Sequence, residues 1–182
     1  MIIQHVSLKG MILASMFAAL TSIGAFLVIP FYPVPITLQN LITYLSAMLL
    51  GSRIGALSQL IYLFLGLVGL PVFATGKAGP GVLLGPTGGY LWGFVIAAYI
   101  IGYLVERKNI IKIKDFVLVG MIGFLIINLF GAFQLYLVTQ LEIKTVFLSG
   151  IFPFIVGDFI KIITASIIAH KLKLTLTPSG MM

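Results

Sequence analysis

Long apolar runs, separated by short polar or glycine- and proline-rich segments, dominate the pattern of the chain. A helix needs about 20 apolar residues to cross the hydrocarbon core of a bilayer. The runs therefore predict an all-α integral membrane protein with six transmembrane helices, in one transmembrane domain over residues 1–182. The predicted spans are approximately 8–29, 36–50, 54–70, 87–104, 116–140 and 153–170.

The segments between these runs are predicted to be turns and loops. Residues 30–35 hold three prolines, which excludes the interior of a helix. Residues 51–55 are predicted to form a tight turn. The glycine-rich residues 72–86 are predicted to form a long loop that folds over the bundle, because glycine permits close backbone approach. Residues 141–151 are predicted to form a further loop.

The composition agrees with a membrane protein and argues against an enzyme. Of the residues, 60% are hydrophobic and 8% are charged, whereas a soluble domain carries roughly 25% charged residues. The chain has no cysteine, and its two histidines, His5 and His170, lie far from any cluster of acids. The glycine-rich residues 76–81 lack the Gly-Lys-Ser/Thr of a phosphate-binding loop. We expect no catalytic residue, no metal and no cofactor.

The net charge of +7 follows the ends of the apolar runs. This distribution is typical of membrane topology, in which cytoplasmic loops collect lysine and arginine, and it argues against a nucleic-acid partner. It predicts that both termini are cytoplasmic and that the lipid bilayer surrounds the chain. The cytoplasmic set is Lys9, Arg53, Arg107, Lys108, Lys112, Lys114, Lys171 and Lys173, and the outer set is Lys77 and Lys144.

Asp158 and Lys161 are an acid and a base inside the last apolar run, whereas the other three acids are predicted to lie in loops. A spacing of three residues places them on one face of a helix. Ionisable groups are costly in a membrane segment and mark a functional site by default. One interpretation is a self-neutralising pair that stabilises helix packing. The other is the polar end of an otherwise apolar ligand pocket near the outer surface.

Two further features leave alternatives open. Trp92 lies near the start of the fourth run, where it is either an interfacial anchor or a residue that stacks on a ligand. Ala14, Ala18 and Ser22 form a stripe of small residues at four-residue spacing in the first run. That stripe suits close packing within the bundle and a docking face for another subunit equally well.

Four blocks of the chain resemble the signature blocks of the BioY family, the biotin-specific substrate-binding (S) components of energy-coupling factor (ECF) transporters. The blocks are Pro33-Val34-Pro35-Ile36-Thr37-Leu38-Gln39, Gly69-Leu70-Pro71-Val72-Phe73, Gly85-Pro86-Thr87-Gly88-Gly89-Tyr90, and Pro153-Phe154 with Gly157-Asp158-Phe159-Ile160-Lys161. The resemblance implies the six-helix S-component fold in a prokaryotic plasma membrane. It also implies high-affinity capture of biotin from outside, together with a shared module of two ATPases and a transmembrane coupling subunit. Only those partners would use ATP.

The resemblance also implies roles for individual residues. Asp158 and Lys161 match the polar pair at the family's biotin site, and Ala14 and Ala18 match the motif that docks the coupling subunit. Val156 stands where the family pattern leads us to expect proline.

The predicted biotin site includes further residues around the pair. Phe73, Tyr90 and Trp92 would enclose the rings and tail of biotin, and Gln39 and Asn128 would add hydrogen bonds. Gly85, in the third block, completes the predicted site. Which end of biotin faces the pair stays open. The alternative function is a self-sufficient, proton-coupled secondary transporter of a small vitamin-like solute, in which Asp158 takes up the proton.

Overall fold

The computed structural model describes residues 7–176, so the two predicted cytoplasmic ends, 1–6 and 177–182, lie outside the described part. Within it the chain is almost entirely helical. The elements in order are α1 (Leu8–Phe26), β1 (Val28–Ile29), β2 (Ile36–Thr37), α2 (Gln39–Leu67), a 3₁₀ turn (Ala74–Gly76), α3 (Pro80–Leu84), α4 (Gly88–Arg107), α5 (Ile113–Thr139), α6 (Ile143–Gly150) and α7 (Phe154–Leu176).

Helix α2 folds back on itself at Gly51. The φ of this residue is 80°, in the left-handed region that favours glycine, and it interrupts the helical geometry. The halves on either side lie next to each other, because Thr43 Oγ1 donates a hydrogen bond to Gln59 Oε1 across 3.2 Å. A Cβ atom on Gly55 would lie 3.0 Å from the Cα atom of Ala47. The turn predicted at this position is confirmed.

Helix α4 packs directly against the turn at Gly51. Glu106 Oε1 accepts a hydrogen bond from the backbone N–H of Ser52 at 3.0 Å, and Glu106 Oε2 accepts one from Ser52 Oγ at 2.7 Å. A Cβ atom on Gly102 would collide with the backbone of Gly51 and Ser52. The carboxylate therefore satisfies a free N–H group at the start of the second half of α2.

The helices surround α2 and α4, which form the centre of the bundle. Helix α4 packs against α2 and α5, α1 packs against α2, and α7 packs against α2 and α5. Glycines allow the closest of these approaches: a Cβ atom on Gly93 would lie 2.9 Å from Ile127 Cα, and one on Gly89 would collide with the carbonyl of Phe130. Small residues at such positions are the usual means of packing helices in a membrane.

Two of the predicted loops contain helices. Residues 72–86 hold the short 3₁₀ turn and the five-residue α3 within the predicted loop. Residues 141–151 hold the helix α6, so the prediction of a loop is wrong for that segment. Helix α6 has only eight residues, too few for the apolar-run criterion to detect. The proline-rich residues 30–35 do lack helix and join β1 to β2, which pair antiparallel.

Length and apolarity identify four described helices that could cross a membrane, namely α1, α2, α4 and α5. A fifth crossing results if α6 and α7, which meet at an angle of 42°, are taken as one broken span. Helix α2 counts once in this total although it reverses direction at Gly51.

Candidate functional site

A cavity of about 710 Å³, with its open mouth included, lies where the start of α7 approaches the starts of α2 and α4. The proline-rich segment between β1 and β2 and the segment after α2 form part of its wall. The lining residues are Pro33, Val34, Pro35, Thr37, Gln39, Asn40, Phe73, Ala74, Thr75, Lys77, Val82, Thr87, Tyr90, Leu91, Phe94, Asn128, Phe154, Asp158 and Lys161.

Asp158 and Lys161 form an ion pair in the wall of this cavity. Lys161 Nζ lies 2.7 Å from Asp158 Oδ1, as the spacing of three residues on α7 allows. Asp158 Oδ2 accepts a second hydrogen bond, at 2.9 Å, from Asn40 Nδ2 at the start of α2. Asp158 is 0% exposed and Lys161 is 8% exposed. The pair therefore joins α7 to α2 as well as facing the cavity.

The pair retains hydrogen-bonding capacity toward the cavity. Each oxygen of Asp158 has one donor in the structure and can accept another. The ammonium group of Lys161 donates one hydrogen bond and can donate more. Such a pair can accept an N–H group and donate to a carbonyl oxygen of the same ligand.

Asn128 and Gln39 add two buried amides to the lining. Asn128 Nδ2 donates to the carbonyl of Phe124 at 2.9 Å, which leaves its Oδ1 and one N–H free of partners among the described residues. Gln39 Oε1 accepts from Thr37 Oγ1 at 2.8 Å, and Gln39 Nε2 donates to the hydroxyl of Tyr62. Neighbouring residues therefore fix the orientation of both amides.

Phe73 and Tyr90 form aromatic parts of the wall. The ring of Phe73 meets the ring of Tyr62 edge-on, with centroids 5.6 Å apart. Tyr90 donates a hydrogen bond from its hydroxyl to the carbonyl of Gly150 at 2.7 Å, and its ring lies 6.2 Å from that of Phe154. The hydroxyl of Tyr90 therefore fixes the joint between α6 and α7 next to the cavity.

Trp92 and Gly85, two residues of the predicted site, do not line the cavity. Trp92 is 44% exposed, because α4 directs it away from the bundle. The backbone carbonyl of Gly85 accepts a hydrogen bond from Gln134 Nε2 at 2.8 Å, so this residue anchors the segment after α3 to α5. The interfacial-anchor interpretation of Trp92 agrees with its position.

Ala14 and Ala18 are completely buried between α1 and the rest of the bundle. This position agrees with the packing interpretation of the small-residue stripe, because a fully buried methyl group is not accessible to another subunit. The side of α1 that remains exposed carries Ser15 and Ala19, which share the same spacing of four residues.

The sequence analysis missed five polar residues of the cavity, namely Thr37, Asn40, Thr75, Lys77 and Thr87. Thr37 and Asn40 flank Gln39 at the start of α2, and that cluster of polar residues at the head of an apolar run was the available signal. Lys77 was predicted to lie on the outer side but was given no role in binding. It is exposed at the cavity and lies in the segment that follows α2.

Comparison with known proteins places the chain in a family. The model described as the BioY family matches residues 2–177. The chain belongs to this family. A Thermotoga maritima protein named "Biotin transporter BioY" is 42% identical over 166 residues, which cover 91% of this chain and 96% of that protein. A Lysinibacillus sphaericus protein named "Probable biotin transporter BioY" is 40% identical over 176 residues, which cover 93% of this chain and 89% of that protein.

A solved structure from the same group of transporters has the same fold. It is the crystal structure of the S-component for biotin from an ECF-type ABC transporter, and it is 31% identical to this chain. The TM-score is 0.83, and the match covers 91% of this chain and 90% of that one. The resemblance to BioY found in the sequence is therefore confirmed, and the chain has the architecture of an ECF S component.

Proposed function

We propose that this chain is the substrate-binding subunit that captures biotin from outside the cell with high affinity. It delivers biotin across the membrane together with an ATP-driven ECF energising module. The observation that carries the proposal is the Asp158–Lys161 pair, which lines a cavity in a member of the BioY family and keeps free hydrogen-bonding capacity there. The names of the relatives, biotin transporters, supply the ligand.

The chemistry of biotin suits the pair at one end of the cavity. Its ureido ring carries two N–H donors and one carbonyl acceptor on an apolar bicyclic body. In the proposed complex Asp158 accepts a ureido N–H, Lys161 donates to the ureido oxygen, and Asn128 adds a third polar contact. The opposite orientation would place the carboxylate of biotin beside that of Asp158, whose charge Lys161 already balances, so two carboxylates would share one ammonium group.

The tail of biotin then points toward the mouth of the cavity. Three lining residues are charged, and Lys77 is the one outside the Asp158–Lys161 pair. We place the carboxylate of biotin near the ammonium group of Lys77. Phe73 and Tyr90 would enclose the apolar body between the two ends.

The proposed topology has six spans, with α2 supplying one before and one after Gly51. The other spans are α1, α4, α5 and α7. The cavity then opens to the outside, and the turn at Gly51 with Glu106 lies on the cytoplasmic side. The distribution of basic residues supports this orientation, as does the position of Arg53 and Arg107 at the end of the bundle opposite the cavity.

The proposed partners are one transmembrane coupling subunit and two ATPases in a prokaryotic plasma membrane. The structural neighbour supports this assembly because it comes from an ECF-type ABC transporter. We place the docking face on the exposed side of α1, where Ser15 and Ala19 allow close approach, rather than on the buried Ala14 and Ala18.

Biotin uptake by proteoliposomes tests this assignment against the proton-coupled alternative. We expect ATP-dependent uptake when the chain is reconstituted with the complete energising module, and none with the chain alone under a proton gradient. Gradient-driven uptake by the chain alone, abolished in Asp158→Asn, would instead establish the alternative. The comparisons give that alternative no support, since the structural neighbour belongs to an ABC transporter.

A further inference from the structure

Tyr62 is a buried tyrosine that does not line the cavity but contacts two segments that do. Its hydroxyl accepts a hydrogen bond from Gln39 Nε2 and donates one to the carbonyl of Val72 at 3.2 Å. Gln39 lies in the first turn of α2, and Val72 immediately precedes the lining residue Phe73. One hydroxyl group therefore joins two parts of the cavity wall that are 33 residues apart in sequence, from 39 to 72.

Both polar atoms of the Gln39 amide have hydrogen-bond partners, which fix its orientation. Its Oε1 accepts from Thr37 Oγ1 at 2.8 Å, so its Nε2 is left to face the hydroxyl of Tyr62. The hydroxyl of Tyr62 in turn uses its only proton on the carbonyl of Val72. The chain of hydrogen bonds Thr37–Gln39–Tyr62–Val72 is thus directional, and we call it the Tyr62 network.

Phe73 is held against the same part of α2. Its ring meets the ring of Tyr62 edge-on at 5.6 Å, and it lies over Gly66, one turn further along, where any Cβ atom would collide with it. The carbonyl of Gly66 also accepts a hydrogen bond from the backbone N–H of Gly79 at 2.8 Å. Residues 72–79 are therefore fastened to α2 at both ends.

We infer that Tyr62 is a positioning residue for the ligand: it holds Gln39 and Phe73 in place from behind the cavity wall without touching the ligand. The inference rests on the proposed function for the identity of that ligand. Tyr62→Phe keeps the ring and its contact with Phe73, but it leaves the amide of Gln39 and the carbonyl of Val72 without their shared partner. A buried polar group that loses its partner destabilises the arrangement that contains it.

The test uses detergent-purified wild type, Tyr62→Phe and the control Tyr136→Phe, which also removes one tyrosine hydroxyl. Tyr136 lies on α5, is 42% exposed and does not line the cavity. We expect Tyr62→Phe to bind biotin about tenfold more weakly than wild type, and Tyr136→Phe to bind within about twofold of it. An equal loss in both variants would overturn the inference, because the effect would then not depend on the Tyr62 network.

Hydrogen–deuterium exchange without biotin gives the readout that a purely structural role would not produce. We expect faster exchange of the backbone amides in residues 72–79 of Tyr62→Phe, with the other helices unchanged. A uniform increase over all helices would indicate general destabilisation and would overturn the inference. Since this measurement needs no ligand, it reports on the Tyr62 network even if the chain binds no biotin, a result that would remove only the proposed function.

A double-mutant cycle shows whether Tyr62 acts through Gln39. We expect the loss of affinity from Tyr62→Phe to shrink by at least about threefold in a Gln39→Ala background, as for residues that share one network. If the losses of affinity from Tyr62→Phe and Gln39→Ala simply added in the double variant, that result would contradict the inference. If Tyr62→Phe does not fold, Gly66→Ala tests the same wall through Phe73, with a similar loss of affinity expected and wild-type affinity overturning the inference.

Discussion

Asp158 and Glu106 are two carboxylates that each join another helix to α2, yet they have different surroundings. Asp158 of α7 accepts from Asn40 in the first half of α2, is 0% exposed and lines the cavity. Glu106 of α4 accepts from Ser52 at the start of the second half, is exposed, and lies outside the cavity. Both groups are carboxylates, and both accept hydrogen bonds from residues of α2.

Of these two carboxylates, only Asp158 lines a cavity, so its position and not its charge marks it as the candidate for binding. The oxygens of Glu106 take both the N–H and the O–H of Ser52, and together they close the turn of α2. Asp158 is balanced by Lys161, and both groups line the cavity and keep hydrogen-bonding capacity there. We therefore propose a role in stability for Glu106 and a role in recognition for Asp158, so substitutions at the two positions are predicted to affect different properties, stability and affinity.

Asp158→Asn is predicted to produce the largest loss of biotin affinity. The substitution keeps the shape of the side chain but removes its charge, which leaves the buried ammonium group of Lys161 without a counter-ion and weakens acceptance of the ureido N–H. Losses from breaking a buried charge pair predict a Kd increase of about 100-fold. Equilibrium binding of radiolabelled biotin to the purified variant measures this Kd. If Asp158→Asn had the Kd of wild type, the proposed distinction between recognition by Asp158 and stabilisation by Glu106 would be wrong.

Lys77→Met is predicted to have a smaller effect, because this lysine is exposed at the mouth of the cavity. An exposed ion pair predicts a loss of about threefold in affinity. Wild type should prefer biotin to biotin amide, and the variant should lose that preference. Lys144→Met is the matched control, since Lys144 lies on the same predicted side but does not line the cavity. A preference that persists in Lys77→Met would place the carboxylate of biotin elsewhere.

Glu106→Ala is predicted to leave biotin affinity unchanged while lowering stability. The loss of a helix cap predicts a decrease of about 1 kcal/mol in the free energy of unfolding, which thermal unfolding in detergent would detect as a lower Tm. Glu106→Gln keeps an oxygen that can accept a hydrogen bond from Ser52, so its free energy of unfolding should decrease by less. A Kd increased by tenfold or more in the folded Glu106→Ala protein would mean that the turn at Gly51 belongs to the binding machinery.

The central pair of the site was predictable because it breaks the apolar pattern of its own helix. Asp158 and Lys161 lie three positions apart in an apolar run, and that spacing alone predicts their contact. The break at Gly51 was predictable for a similar reason, since glycine and polar residues interrupt a long apolar run there. In both cases the information lies within a few neighbouring residues.

The partners of the pair were not predictable from local patterns. Asn40 reaches Asp158 across 118 positions, and nothing near Asn40 distinguishes it from Gln39, whose amide turns instead toward Tyr62. Helix α6 was missed because eight residues are too few to show as an apolar run. Trp92 was placed in the site because an aromatic residue at the start of a span suits either a ligand or the membrane interface, and only the rotation of α4 decides between them.

The most direct measurement of the central claim is titration of the purified wild-type chain with biotin and with an analogue in which the two ureido nitrogens are replaced by carbon. We predict tight, saturable binding of biotin at one site per chain and a large loss of affinity for the analogue, because Asp158 would then have no N–H to accept. Equal affinity for both compounds, or no saturable binding of biotin, would contradict the assignment of the Asp158–Lys161 pair to recognition of the ureido ring.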